Sequence, residues 1–180
     1  MKRVGIDVLY HVEGIVMKSI DYGEGNRIIT LFSPEAGKIT VMVRGAKKLK
    51  SRHSAISQMF TYGRFIFYKG KGMGTLNDGE ILHSFHNLRM DLHKAGYASY
   101  IAEMLDRMTA EEQAETGLFM QFKAALEHIE QDKDAEIIAH LFEMHMLIKN
   151  GYMPELEQCT ACGASSELKG LISIRMGGAL

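Results

Sequence analysis

The sequence is short of cysteine: two residues in 180, three positions apart, at Cys159 and Cys162. A secreted disulfide scaffold needs more pairs than that, so disulfides do not hold this chain together. No apolar run approaches the ~20 residues that cross a bilayer. The N-terminus, Met1-Lys-Arg-Val-Gly-Ile-Asp-Val, lacks both a long apolar stretch and a small-residue cleavage site. No signal peptide is read there, and a cytoplasmic protein without a membrane partner is expected. Internal repeats and low-complexity segments are absent. So are a nucleophile–base pair and any carboxylate cluster that the pattern forces together, which argues against an enzyme such as a nuclease. Net charge is also nearly absent, at -1.

That neutrality hides an asymmetry. Residues 1–80 carry 13 Lys+Arg against 7 Asp+Glu, whereas residues 81–180 carry 8 against 15. A basic half joined to an acidic half points to an anionic partner confined to the N-terminal part. The cations concentrate in Arg44-Gly-Ala-Lys-Lys-Leu-Lys-Ser-Arg52, where five of nine residues are Lys or Arg and none is acidic. Such a cluster repels itself unless an anion relieves it, and the commonest polyanion is nucleic acid. A merely solvated loop is the plainer reading of so short a run.

Glycine marks the organisation, with 11 of 18 in residues 1–80. Between the glycines lie β-like runs at 8–20, 27–32, 38–44, 60–69 and 75–85. In the third, Ile39, Val41 and Val43 alternate with Lys38, Thr40, Met42 and Arg44, the mark of a half-buried strand. Ser33-Pro-Glu-Ala-Gly37 and Gly70-Lys-Gly-Met-Gly74 read as turns. Gly70–Gly74 has neither a following helix nor a Walker pattern, so a phosphate cradle is not read there. Five strands with short turns predict a small antiparallel barrel or sandwich.

Near Asn87 the period changes. Leu88, Leu92, Ala95, Ala98, Ala102, Leu105 and Met108 predict one amphipathic helix. Leu118, Phe122, Ala125 and Ile129 predict a second, and Ile138, Leu141, His145 and Ile148 a third. Asp134 is placed to cap the third helix and Gly151 to end it. The fold class is therefore mixed α+β. Its predicted parts are a barrel over 1–80, a helical domain over 81–153 and a last segment over 154–180.

A five-stranded barrel of this type binds single strands by joining a cationic groove to aromatic rings that stack on bases. The rings on offer are Tyr10, Tyr22, Phe32, Tyr62, Phe65, Phe67 and Tyr68, most of them needed for the core. The candidate DNA contacts are Arg27, Lys38, Arg44, Lys47, Lys48, Lys50 and Arg52, because long basic side chains are rarely buried. A module that binds proteins, with the basic loop incidental, is the alternative. In Cys159-Thr-Ala-Cys162-Gly, two thiolates at this spacing can hold one side of a tetrahedral zinc, and two free thiols are the simpler reading. His140-Leu-Phe-Glu-Met-His145 fails as a metal helix. Ligands on one face sit four apart, and five residues turn the imidazoles about 140° from each other.

Glu13-Gly-Ile-Val-Met-Lys-Ser-Ile-Asp-Tyr-Gly-Glu-Gly-Asn-Arg-Ile-Ile-Thr-Leu-Phe-Ser-Pro-Glu-Ala-Gly-Lys-Ile39, running into Val43-Arg-Gly-Ala-Lys-Lys48, closely resembles the bacterial RecO family of recombination and repair proteins. The likeness continues through Phe60-Thr-Tyr-Gly63, Gly79-Glu-Ile81, Gly151-Tyr-Met-Pro-Glu-Leu156 and the Cys159–Cys162 pair. The resemblance implies an N-terminal OB-fold, a helical domain and a zinc module. It implies a mediator that binds single- and double-stranded DNA and anneals complementary strands. With RecR and RecF, such a mediator helps RecA replace single-strand-binding protein. It implies no nucleotide hydrolysis, and a cytoplasmic, nucleoid-associated setting. Zinc-bearing members continue past the equivalent of Arg175-Met-Gly-Gly-Ala-Leu180 to a second Cys pair and further helices. Here Cys159 and Cys162 are expected to form an incomplete site, with zinc weak or absent and a poorly ordered tail from about Gln158.

Overall fold

The computed structural model describes residues 8–165 and 170–180. The chain forms two compact units, one ending at Phe142 and the other running over Glu143–Leu180. The first opens with strands β1 (Val8–Tyr22), β2 (Asn26–Ser33) and β3 (Gly37–Val43), the one-turn helix α1 (His53–Ile56), and strands β4 (Tyr62–Lys69) and β5 (Gly74–His83). The strands close into a barrel in the order β1-β2-β3-β5-β4. All pairings are antiparallel except β3 with β5, which closes the barrel through Val41↔Gly74 and Met42↔Thr75. Five strands in this arrangement make an OB-type barrel.

β1 is long because it serves two neighbours. Its first half pairs with β4 and its second half with β2, with a bulge between Val16 and Lys18 that turns the strand between them. Gly14 and Gly63 face each other across β1 and β4 where the barrel bends. A Cβ on Gly14 would lie 2.9 Å from the Phe32 carbonyl oxygen, and one on Gly63 2.5 Å from that of Glu80, so neither position has room for a side chain.

The barrel is filled by alternate residues. Val12, Val16, Ile29, Leu31, Ile39, Val41, Val43, Phe65, Phe67 and Leu76 form its core, joined by Ala46 and Ile56 from the β3–β4 connection. Burying such side chains contributes about 1.5–3 kcal/mol each before entropy is counted. The predicted alternation in β3 therefore holds. Part of the outer face is buried as well. Phe32 points away from the barrel interior and packs against Phe119 and Phe122, at ring-centre distances of 6.2 and 6.5 Å.

Both rings lie on α4 (Thr116–Glu130), one of four helices with α2 (His86–Met90), α3 (Leu92–Met108) and α5 (Ala135–Lys149). The first predicted helix is two. Asp91 breaks it, and its carboxylate accepts hydrogen bonds from the backbone N–H of His93 and Lys94, starting α3 afresh. Leu92 is consequently exposed. α4 buries Leu118, Phe122, Ala125 and Ile129 as its periodicity predicts. Asp134 caps α5 through Glu136 and Ile137. The buried stripe of α5 is Ala135, Ala139, Phe142 and Met146, one residue on from the predicted one, and Leu141 and Ile148 are exposed. This helix is apolar on more than one side, so hydropathy alone admits either stripe. The change from strand to helix falls near Asn87 as read from sequence, between β5 and α2, and barrel and helices form one compact unit up to Phe142.

In the second unit, Gly151 adopts φ +81° and ends α5. Its N–H bonds the Ile148 carbonyl, and that of Tyr152 bonds Leu147. Several described residues beyond Gln158, where a poorly ordered tail is expected from the sequence, carry backbone hydrogen bonds, and residues 166–169 of that tail lie outside the described residues. Strands β6 (Ile172–Ser173) and β7 (Gly178–Ala179) form a hairpin. Glu155 bridges to Gly178, and Thr160 donates its N–H to the Ala179 carbonyl.

Candidate nucleic-acid interface

The basic run leaves β3 at the end where β1 turns into β2. Bonds from its backbone N–H groups hold it there. Lys47 donates its N–H to the Gly25 carbonyl at 3.1 Å, and Gly45 donates to the Asn26 side-chain oxygen at 2.9 Å. Lys48, Ser51 and Ser54 then bond back to Gly45, Lys48 and Ser51 in successive turns. Ala46 is fully buried between these anchors. The cations are left outside. Arg44, Lys48, Lys50 and Arg52 are exposed and make no ion pair among the described residues. Four like charges held close together, with no acid between them, are arranged to meet an anion.

The other three candidates are engaged inside the protein. Lys47 pairs with Asp21 at 2.8 Å, while its stem remains at the surface. Arg27 shares the inward parity of Ile29 and Leu31, and its guanidinium closes the end of the barrel. It bonds Asp21 at 3.2 Å and reaches the Ser54 carbonyl and the Ser57 hydroxyl at 3.4 Å. Lys38 is a correction. Although it lies on the outer parity of β3, it is only 9% exposed. Its ammonium donates to the Asp106 carbonyl at 2.7 Å and pairs with the Asp106 carboxylate at 3.1 Å, tying the barrel to α3. Outward on this barrel does not mean solvent-facing, because the helices cover that part.

Asp21 is the site residue that sequence reasoning missed. Hydrogen bonds from Lys47 and then Arg27 hold its carboxyl below the usual carboxylate range. The signal was present in principle: across the β1–β2 hairpin the register sets Asp21 opposite Arg27. On β1, β4 and β5, Glu13, Asp78 and Glu80 line a cavity of about 350 Å³ with His11 and Arg64. That acidic wall disfavours phosphate. Of the rings weighed for stacking, Phe32, Phe65 and Phe67 are buried, whereas Tyr10, Tyr22 and Tyr68 are 37%, 52% and 45% exposed.

Cys159 and Cys162 sit on a tight loop of the second unit. Gly163 donates to the Cys159 carbonyl, and Cys159 to that of Ala164, both at 2.8 Å. The backbone N–H groups of Ala161 and then Cys162 are directed at the Cys159 sulfur and hold its thiol below the ordinary range, with the Cys162 side chain adding to the effect. Backbone donors aimed at a sulfur stabilise a thiolate, the form that binds metal. Two free thiols are present at this loop. His140 is exposed and His145 half-buried on α5, and among the described residues no three His, Cys, Asp or Glu converge on a metal position.

Residues 7–85 match the family model described as Recombination protein O N terminal, and residues 89–178 match Recombination protein O C terminal. Among curated relatives, the DNA repair protein RecO of Bacillus subtilis is 44% identical over 155 residues, covering 86% of this chain and 61% of that protein. The RecO protein of Bacillus pumilus is 46% identical over 156 residues, with 87% and 61% covered. That of Bacillus cytotoxicus is 40% identical over 169 residues, with 94% and 68% covered. The chain thus spans about 61% of the length of several relatives that it matches.

Proposed function

The chain belongs to the recombination protein O family, and from that premise we propose that it is a DNA-binding mediator of recombinational repair whose contact surface is the loop 44–52. The observation that carries this reading is the set of four exposed, unpaired cations, Arg44, Lys48, Lys50 and Arg52, held beside an OB-type barrel. Binding through phosphates is independent of sequence and accepts single and double strands alike. Lys47 joins the contact by exchanging Asp21 for a phosphate.

The role needs no bond to be made or broken. Two complementary strands repel each other, and a surface that neutralises phosphates on both lowers that barrier. Annealing without ATP follows from this. The resemblance to the family adds assistance to RecA on strands coated with single-strand-binding protein, in company with RecR and RecF, in the cytoplasm at the nucleoid. Among the described residues no helix is long and apolar enough to cross a membrane. Cys159 and Cys162 would supply two of the four ligands of a structural zinc, whose chemistry there is to hold a fold together. The test is annealing of complementary oligonucleotides with increasing protein and no nucleotide. Acceleration over the spontaneous rate supports the reading. The spontaneous rate at every concentration contradicts it.

A further inference from the structure

The loop 44–52 carries one feature that phosphate binding does not use. Leu49, between Lys48 and Lys50, is 94% exposed. Its presentation is enforced by the backbone. Lys50 adopts φ +67°, a left-handed conformation that a residue with a Cβ rarely takes. Bonds from Lys48 to the Gly45 carbonyl and from Ser51 to the Lys48 carbonyl close the turns on either side. An apolar side chain thus points outward from an ordered loop, with Arg44, Lys48, Lys50 and Arg52 around it. A surface that accepts it is apolar at its centre and acidic at its rim.

The outer face of β1, β4 and β5 has that arrangement. The register sets two rows across it, His11–Ile66–Asp78 and Glu13–Arg64–Glu80. These six residues line the cavity of about 350 Å³, and half-buried Ile66 lies in the middle of the first row. Asp78 is exposed and has no ion pair among the described residues. Arg64 is engaged by Glu80 at 3.1 Å. Three carboxylates against one guanidinium leave the face negative.

We propose that this face is the docking site for the loop 44–52 of a second copy of the chain, with Leu49 against Ile66 and Lys48 and Lys50 on Asp78 and Glu80. The two surfaces are complementary in sign, and each has an apolar residue at its centre. The loop is already ordered, so docking it loses little entropy. The groove is not filled by its own loop. Lys47 holds that loop to Gly25 and Asp21 at the β1–β2 hairpin, and no ion pair joins Lys48 or Lys50 to Asp78 or Glu80. Loop and groove are different patches, so the contact is head-to-tail. It leaves a free groove at one end and a free loop at the other, and further copies add in a chain. The docking needs no DNA. On the DNA reading above the same cations meet phosphate, so DNA and a second copy compete for the loop.

The test is sedimentation of the full chain over a concentration series at low salt. The wild type should form concentration-dependent assemblies that weaken as salt is raised. K48A/K50A, which lacks the loop charges, and D78N/E80Q, which lacks the groove charges, should each associate roughly tenfold or more weakly while melting at the wild-type temperature. L49S removes no charge and should still weaken association about tenfold, the factor expected for partial burial of one leucine. An equimolar mixture of K48A/K50A and D78N/E80Q should give a pair and nothing larger, because the first keeps the groove and the second keeps the loop. That pair also shows that both variants are folded. Wild-type protein that stays a single chain at every concentration overturns the docking. So does association of D78N/E80Q or L49S equal to that of the wild type, or a mixture that yields no pair. A short oligothymidylate should disperse the wild-type assembly. An assembly that persists with oligothymidylate bound overturns the competition and removes the loop from the DNA surface, while the pair formed in the mixture still supports the docking.

Discussion

Replacing Lys38 by Met separates a structural cation from a DNA contact. The Lys38 side chain is 11% exposed, and its ammonium has two partners on one residue, the Asp106 carbonyl at 2.7 Å and its carboxylate at 3.1 Å. Methionine keeps the apolar stem, so packing along β3 is largely preserved. What is lost is the charged hydrogen bonding, which contributes about 1.5–3 kcal/mol in comparable settings. The full cost of orphaning a buried charge does not apply, because the Asp106 side chain is 28% exposed and can take water instead. A loss of about 2 kcal/mol is expected, which lowers the melting temperature by roughly 4–8 °C for a protein of this size. Chemical denaturation and thermal unfolding read that loss directly. Oligothymidylate affinity and its salt slope, measured below the melting transition, should match the wild type. An unchanged melting temperature together with weaker, less salt-dependent binding would refute the assignment and return Lys38 to the DNA surface.

Three further outcomes follow from the geometry. Asp21→Asn should free Lys47 and Arg27 from their shared carboxylate, strengthen DNA binding and steepen the salt slope by up to about 1, whereas weaker binding would mean that Asp21 positions the loop. Burial, and then the hydrogen bond that its hydroxyl donates to Glu13, push the Tyr62 phenol up to about 12. A raised folded value stabilises the fold fully below the unfolded value near 10, and that share is lost as pH rises from about 10 to about 12. Tyr62→Phe should flatten this alkaline loss in unfolding measurements, and an identical profile would show that Tyr62 is not its source. Cys159 should react faster than Cys162 with a thiol reagent, and zinc bound by this pair should be substoichiometric and readily chelated. Tightly held zinc near one per chain, with both thiols protected, would require ligands beyond this loop.

The barrel was readable because its strands are rich in β-branched and aromatic residues and its turns carry Gly and Pro. The run from Lys38 to Val43 displays both its strand and its core face. Alternation identifies the face on which a residue lies, but not what covers that face. Lys38, Phe32 and Met42 all point outward, yet α3 engages the first, α4 covers the second, and the third is half-exposed. The covering depends on pairings between residues as distant as Lys38 and Asp106, which no local pattern carries. The same limit explains α5, where Leu141 and Phe142 are equally apolar and only packing selects between them. The break at Asp91 was locally visible as a capping residue, but the helical period ran through it. The basic loop was legible because five cations in nine residues need no partner to be noticed. The pairing of two of the seven candidate cations with Asp21 became visible only with the register of the hairpin.

The most direct measurement is the salt dependence of single-strand binding by the wild type and by K47E/K48E/K50E. For single strands each neutralised phosphate contributes a slope of about -0.7 in log affinity against log salt. Loss of three contacts should therefore flatten the slope by roughly 2 and weaken binding at every salt concentration, in a variant that unfolds at the wild-type temperature. Unchanged affinity and slope in that folded variant would contradict the loop as the DNA-binding surface.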